Sequence, residues 1–159
     1  PTPAAPDFLL GLPSDRAALA ASVDGGQTWA DVAALTARDI SIDPTNPDVV
    51  TATTPEGLMV SRDAGSSFAP VGNAPMLVVI AADPTQEEGI IGAGADGTIW
   101  TGTTKPGAVW KTAGHATGIP AAISVSPDGT AAIADDSGVR ITTDAGNTWR
   151  TVLVTEPTS

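Results

Sequence analysis

The sequence predicts an all-β chain of about four β-propeller blades, and three observations carry that reading. The first is an internal repeat. Four segments align position by position: SVDGGQTW (Ser22 to Trp29), SRDAGSSF (Ser61 to Phe68), TTKPGAVW (Thr103 to Trp110) and TTDAGNTW (Thr142 to Trp149). Each begins with a hydroxyl residue, carries Gly fifth and an aromatic eighth, and three of the four have Asp third. The second observation is the spacing. The aromatics Trp29, Phe68, Trp110 and Trp149 lie 39, 42 and 39 residues apart, a period that fits one four-stranded blade. The third is the punctuation between the repeats. Asp43-Pro-Thr-Asn-Pro, Asp83-Pro-Thr-Gln and Ser126-Pro-Asp-Gly are turn signals, as are Pro55-Glu-Gly57, Ala95-Asp-Gly97 and Asp136-Ser-Gly138. Pro and Asp set up such turns, and Gly supplies the positive φ.

Between these turns run short segments rich in Val, Ile, Thr and Ala, whose length and composition predict strands. In chain order they include Phe8 to Gly11, Ala17 to Ser22, Thr28 to Val32, Asp39 to Asp43, Val49 to Thr53 and Leu58 to Arg62. Met76 to Ala82, Gly89 to Ala93, Ile123 to Ser126 and Thr148 to Val154 follow. Arg16 to Ala21 is Ala-rich enough to suggest a helix, but its place just before the first repeat segment predicts a strand. The expected organisation is a Pro-rich linker over residues 1–7, then blades over 8–155, with units near 8–34, 35–74, 75–114 and 115–155. About 15 strands result. The first unit lacks an innermost strand, and a ring should not leave open strand edges. The chain is therefore expected to form an open arc, about half of a larger propeller, completed by upstream sequence or by a second copy.

Composition narrows the function classes. The 159 residues contain no Cys, which excludes disulfides, thiol catalysis and Cys-ligated metals. A net charge of −11 makes a nucleic-acid backbone a poor partner. The longest apolar run, Met76 to Ala82, is far short of the ~20 residues of a membrane-spanning helix.

In each repeat segment the third-position carboxylate, Asp24, Asp63 or Asp144, can accept hydrogen bonds from the backbone of its own turn. The eighth-position aromatic is expected to wedge between blades, so that Trp29, Trp110 and Trp149 are largely buried. The third segment has Lys105 for Asp and Pro106 beside it, and must hold its hairpin by other means. The four segments closely resemble the Asp-box, or bacterial neuraminidase repeat, of pattern Ser/Thr-x-Asp-x-Gly-x-Thr-Trp. The nearest look is to secreted or lipid-anchored actinobacterial proteins labelled glycosyl hydrolase-like. That resemblance implies a propeller in which Asp24, Trp29, Asp63, Phe68, Trp110, Asp144 and Trp149 are structural. It also implies an extracellular or cell-surface location, any leader or lipid-anchoring motif being removed or outside the sequence.

Other motifs carry less. Gly92-Ala-Gly-Ala-Asp-Gly97 matches a dinucleotide fingerprint, yet Thr98 to Thr101 reads as a strand where that site needs a helix. No cofactor is expected. Sialidase chemistry needs a Tyr nucleophile, and the chain has no Tyr. Calcium loops need further oxygen ligands and a distal Glu, which are absent around Asp24, Asp63 and Asp144. The loops opposite the repeat hairpins should bring Glu56, Asp96, Asp135, Asp136 and His115 to one face, with Trp100 as a ligand-stacking aromatic outside the repeat pattern. These six residues are the ligand-binding candidates, with no catalytic or metal residue assigned. The preferred reading is a non-catalytic binding or assembly scaffold for a protein or glycan. The alternatives are part of a glycoside hydrolase, in which two of these carboxylates do the chemistry, and an extracytoplasmic metal-binding protein using His115.

Overall fold

The computed structural model describes residues 2–154. Pro1, the first residue of the predicted linker, and Thr155, the last of the predicted fourth unit, lie outside the described residues. Fifteen strands form four antiparallel sheets, and among the described residues there is no helix. Blade 1 holds β1 (Leu9–Gly11), β2 (Leu19–Ser22) and β3 (Ala30–Ala33). Blade 2 holds β4 (Asp39–Ile42), β5 (Val50–Thr54), β6 (Gly57–Ser61) and β7 (Ala69–Pro70). Blade 3 holds β8 (Val79–Asp83), β9 (Gly89–Ala93), β10 (Thr98–Thr103) and β11 (Lys111–His115). Blade 4 holds β12 (Pro120–Val125), β13 (Ala131–Asp135), β14 (Gly138–Thr142) and β15 (Arg150–Val154). Each sheet is a meander, its strands paired in chain order.

The result is an open propeller of about four blades. β8 packs against β4 on one side and β12 on the other, so the innermost strands of blades 2, 3 and 4 stand side by side. Two side chains of β4 serve the neighbouring strand: Asp39 Oδ2 accepts from the Ile80 N–H at 2.8 Å, and Ser41 Oγ from the Ala82 N–H at 2.8 Å. Unpaired N–H groups of an inner strand are thereby satisfied across the blade boundary. Blade 1 starts at what is the second strand of the other units, and no strand of it touches a strand of blade 4 among the described residues.

Sheets stacked face to face bury both surfaces of their middle strands, which favours continuous small or apolar runs over alternation. β5 (VTATT) and β9 (GIIGA) are buried at every position. Two apolar clusters fill the blade boundaries. Val49, Leu58, Val60, Val71, Leu77, Ile80 and Ile90 join blades 2 and 3, with Trp100 and Trp110 packed against them. Val79, Ile91, Ala93, Ile99, Ala113, Ala131 and Ile133 join blades 3 and 4, with Trp149 against them.

The repeat hairpins show what each conserved position of the repeat does. In the first, Ser22 Oγ donates to Asp24 Oδ1 at 2.8 Å and accepts from the Gly26 N–H at 2.8 Å. Asp24 Oδ1 accepts from the Thr28 N–H at 2.9 Å, and Oδ2 from its hydroxyl at 2.6 Å. The same set recurs around Asp63 with Ser61, Gly65 and Ser67, and around Asp144 with Thr142, Gly146 and Thr148. The third hairpin, lacking a carboxylate of its own, borrows two from the turn after β8. Thr104 donates from its hydroxyl to Glu88 Oε2 and from its N–H to the Glu88 carbonyl, while Lys105 pairs with Glu87. Arg62 of blade 2 also reaches Glu88 Oε2, at 2.7 Å, and so ties two blades to that turn.

The hydroxyl and amide donors hold Asp24, Asp63 and Asp144 ionised, with each pKa lowered from 3.8 to about 2; the leading donor is the hydroxyl of Thr28, Ser67 and Thr148 respectively. Below 3.8 the unfolded chain takes up protons that the folded chain refuses, so stability must fall as pH drops toward 2. The midpoint of urea unfolding is expected to decline across that window. In the triple Asp24→Asn, Asp63→Asn, Asp144→Asn variant the decline should be shallower. An equal slope in both proteins would refute this account.

The expectation that the three repeat tryptophans are largely buried is corrected: Trp110 and Trp149 are half-buried, each packed against an apolar cluster at a blade boundary. Trp29 is not buried between blades: it is 48% exposed, its ring lying over Gly11 and its Nε1 donating to the Gly26 carbonyl at 3.1 Å, all within blade 1. The cause is the direction of packing. Trp149 of blade 4 reaches back onto blade 3, donating from Nε1 to the Ala113 carbonyl at 2.7 Å, and Trp110 of blade 3 packs on the boundary with blade 2. Among the described residues no sheet lies behind blade 1 for Trp29 to pack on. Trp110 differs from Trp149 in that its buried Nε1 finds no hydrogen-bond partner among the described residues.

Candidate functional site

The turns β5–β6, β9–β10 and β13–β14 and the connectors between blades gather on the face opposite the repeat hairpins. Between blades 2 and 3 they enclose a groove of about 660 Å³. Its walls come from four places: Thr36 to Arg38 before β4, Thr53 to Pro55, Pro75 to Val78 before β8, and Ala95 and Asp96 with Trp100. Leu77 is buried, Trp100 half-buried, and Met76 stands 59% exposed at the rim. An apolar floor with one cation, Arg38, and one anion, Asp96, has the make-up of a binding cleft. A second and larger groove, of about 830 Å³, runs along β4, β8 and β12, with Thr2 and Pro3 at its edge. Its surface is mostly small aliphatic side chains.

The six candidate residues fall in different places. Asp96 and Trp100 line the cleft. Asp96 is committed in part to its own turn, accepting from the Thr98 N–H at 3.0 Å and hydroxyl at 2.9 Å, which lowers its pKa. Glu56 is exposed on the adjoining β5–β6 turn, where its N–H donates to Thr54 Oγ1 at 3.2 Å. His115 ends β11, one blade over. Its ring lies against Gly97, its Nδ1 is 2.6 Å from the Ala116 carbonyl, and its own carbonyl accepts from Arg140 at 2.9 Å.

Asp135 and Asp136 hold the connector into blade 4. Asp135 is 8% exposed and accepts from the N–H groups of Thr117, Gly118 and Ser137 at 3.0, 3.0 and 2.9 Å. Burial pushes its pKa up, but the Ser137 hydroxyl and the amides outweigh that and lower it to about 2. Asp136 Oδ1 accepts from the Ile119 N–H at 2.9 Å. Asp135, so occupied, is ionised at neutral pH and cannot deliver a proton there. The cleft residues that sequence reasoning passed over are Arg38 and Met76. Arg38 sits in a connector with no repeat signature, and Met76 was read as the start of a strand that begins at Val79.

No protein-family model matches the chain, and no curated protein matches it. Solved structures do, and they agree on a β-propeller. An ancestral GH74 enzyme matches with a TM-score of 0.71 and 18% identity, over 96% of this chain and 23% of that one. YCF48 bound to D1 peptide matches with a TM-score of 0.63 and 18% identity, over 91% of this chain and 49% of that one. A chain of the nidogen/laminin complex matches with a TM-score of 0.71 and 12% identity, over 91% and 60%. The chain thus spans about a quarter of the GH74 enzyme and half of YCF48. At such identities the likeness is one of fold.

Proposed function

We propose that the chain is a non-catalytic Asp-box propeller module, secreted or held at the cell surface, that binds a segment of protein or glycan in the cleft between blades 2 and 3. The observation that carries the proposal is the cleft itself: Trp100 and Met76 offer a stacking and packing surface, and Arg38 and Asp96 fix the orientation of a polar ligand. The Asp-box reading rests on the three complete Ser/Thr-Asp-Gly-hydroxyl networks. Two of the similar folds are described in complex, YCF48 with D1 peptide and nidogen with laminin, which supports a binding role. Among the described residues no three His, Asp or Glu side chains cluster to hold a metal.

Screening the immobilised chain against peptide and glycan arrays tests the proposal. Binding should fall at least about tenfold in Trp100→Ala, the range for losing one stacking contact, and persist in His115→Ala. Binding that ignores Trp100→Ala and Met76→Asp would overturn the choice of site. The second reading, part of a glycoside hydrolase, draws on the GH74 likeness. Glycan hydrolysis by this chain, lost in Asp135→Asn or Asp136→Asn, would establish it in place of the first.

A further inference from the structure

The cleft between blades 2 and 3 holds an uneven stock of hydrogen-bonding groups. Its side-chain acceptors are engaged by the protein itself. Asp96 Oδ1 accepts from the Thr98 N–H at 3.0 Å, and Oδ2 from the Thr98 hydroxyl at 2.9 Å. Thr54 Oγ1 accepts from the Glu56 N–H at 3.2 Å and gives its proton to the Gly57 carbonyl at 2.9 Å. Thr53 Oγ1 accepts from the Asp39 N–H at 3.0 Å and donates to the Asp39 carbonyl at 3.4 Å. The donors are idle. Arg38 is exposed on the cleft, and only its backbone N–H is engaged, donating to the Thr53 carbonyl at 2.9 Å. Among the described residues its guanidinium has no hydrogen bond and no ion pair, whereas Arg16, Arg62 and Arg140 each face a carboxylate, at 2.7, 2.7 and 3.8 Å. The Trp100 indole N–H is likewise unpaired among the described residues. The remaining walls are mostly aliphatic, from Ala37, Pro55, Pro75, Met76, Leu77 and Val78.

A neutral sugar fits this stock badly. Each of its hydroxyls donates as well as accepts, and the Thr36 hydroxyl is the one side-chain acceptor of the cleft with no partner among the described residues. A carboxylate fits it well, because it only accepts and a guanidinium offers it two parallel N–H bonds. We propose that the ligand of this cleft is a peptide that presents one carboxylate to Arg38, from an Asp or Glu side chain or from its C-terminus, and lays aliphatic side chains against Pro75 and Met76. This rests on the cleft reading above and narrows it from protein or glycan to a peptide of stated chemistry. The chain's net charge of −11 repels polyanions, which favours a single carboxylate among apolar residues over an acidic run or a doubly charged phosphate.

Matched sets of synthetic apolar peptides test this, each carrying one Glu, a Gln or a phosphoserine at the same place, with the C-terminus free or amidated. Peptides with a carboxylate should bind, and removing it should weaken binding at least about tenfold, the worth of a hydrogen bond to a charged group. Arg38→Gln should lose as much on the carboxylate peptide and nothing further on the neutral one. Arg38→Lys keeps the charge without the planar fork and should lose less than Arg38→Gln. An unchanged urea midpoint in both variants shows that folded chains are being compared. Equal binding of the carboxylate and neutral peptides overturns the proposal, as do preference for phosphoserine, indifference to Arg38→Gln, binding confined to glycans, or no peptide binding at all. Trp100→Ala judges the cleft separately: a neutral ligand lost in Trp100→Ala but kept in Arg38→Gln leaves the cleft standing and removes only the carboxylate.

Discussion

Trp149→Ala should cost folding stability near the lower end of the roughly 3–5 kcal/mol typical of a fully buried large aromatic, because the ring is half-buried. Three losses contribute. The ring leaves the apolar cluster between blades 3 and 4, against which it packs. The Ala113 carbonyl loses the donor that Nε1 provides at 2.7 Å. The Arg140 guanidinium, 6.0 Å from the ring centre, loses the face it lies over. Typical domains are stable by only about 5–15 kcal/mol, so this one truncation removes a large share. Trp29→Ala gives the contrast. Its ring touches only its own blade, so the loss within one chain should be about 1 kcal/mol, as for other surface changes with one local contact. Urea unfolding at concentrations where each variant sediments as a single chain measures both. Equal losses would mean that the two tryptophans are not divided by the presence and absence of a preceding blade among the described residues.

That division was hidden from sequence reading for a physical reason. Trp29 and Trp149 occupy the same repeat position and are preceded by nearly the same turn, so local residues predict one fate for both. Which side of a blade its aromatic faces is a property of stacking, and stacking direction leaves no mark on a single unit. The strands were legible because their signals are local: a hydroxyl, an Asp and a Gly at fixed places, with β-branched residues between turns. Even the decayed third unit gave a hairpin, although nothing in Thr103 to Trp110 announces that Glu88 stands in for the missing Asp. The cleft was only half legible. Asp96 and Trp100 could be placed on the loop face from turn order, whereas Arg38 and Met76 enter it through connectors whose path depends on how two blades meet. Asp135 shows the same limit from the other side. As a turn acid it looks like Asp96, but the connector through Thr117 and Gly118 folds over it and occupies its oxygens.

Gly146→Ala should destabilise by roughly 2–5 kcal/mol, and two glycines at the same repeat position show why. Gly146 sits at φ +88, where an L side chain costs about 1–2 kcal/mol. A Cβ there would also lie 2.5 Å from Ala113 Cβ and 2.6 Å from the Ala113 carbonyl oxygen. Neither is the free end of a flexible side chain, so relief requires blades 3 and 4 to part, and overpacking of this kind costs about 1–3 kcal/mol more. Gly107, at φ +75, has no atom within 4 Å of the same position, so Gly107→Ala carries the backbone cost alone. Gly65, at φ +90, would meet Leu19 Cδ2 at 2.7 Å, a methyl group that can rotate away, which places Gly65→Ala between the other two. The expected order of loss is therefore Gly146, Gly65, Gly107, read as shifts in the urea midpoint at constant slope. If Gly107→Ala proved as costly as Gly146→Ala, the backbone reversal would account for the whole effect, and the close approach of this hairpin to the preceding blade would contribute nothing to stability.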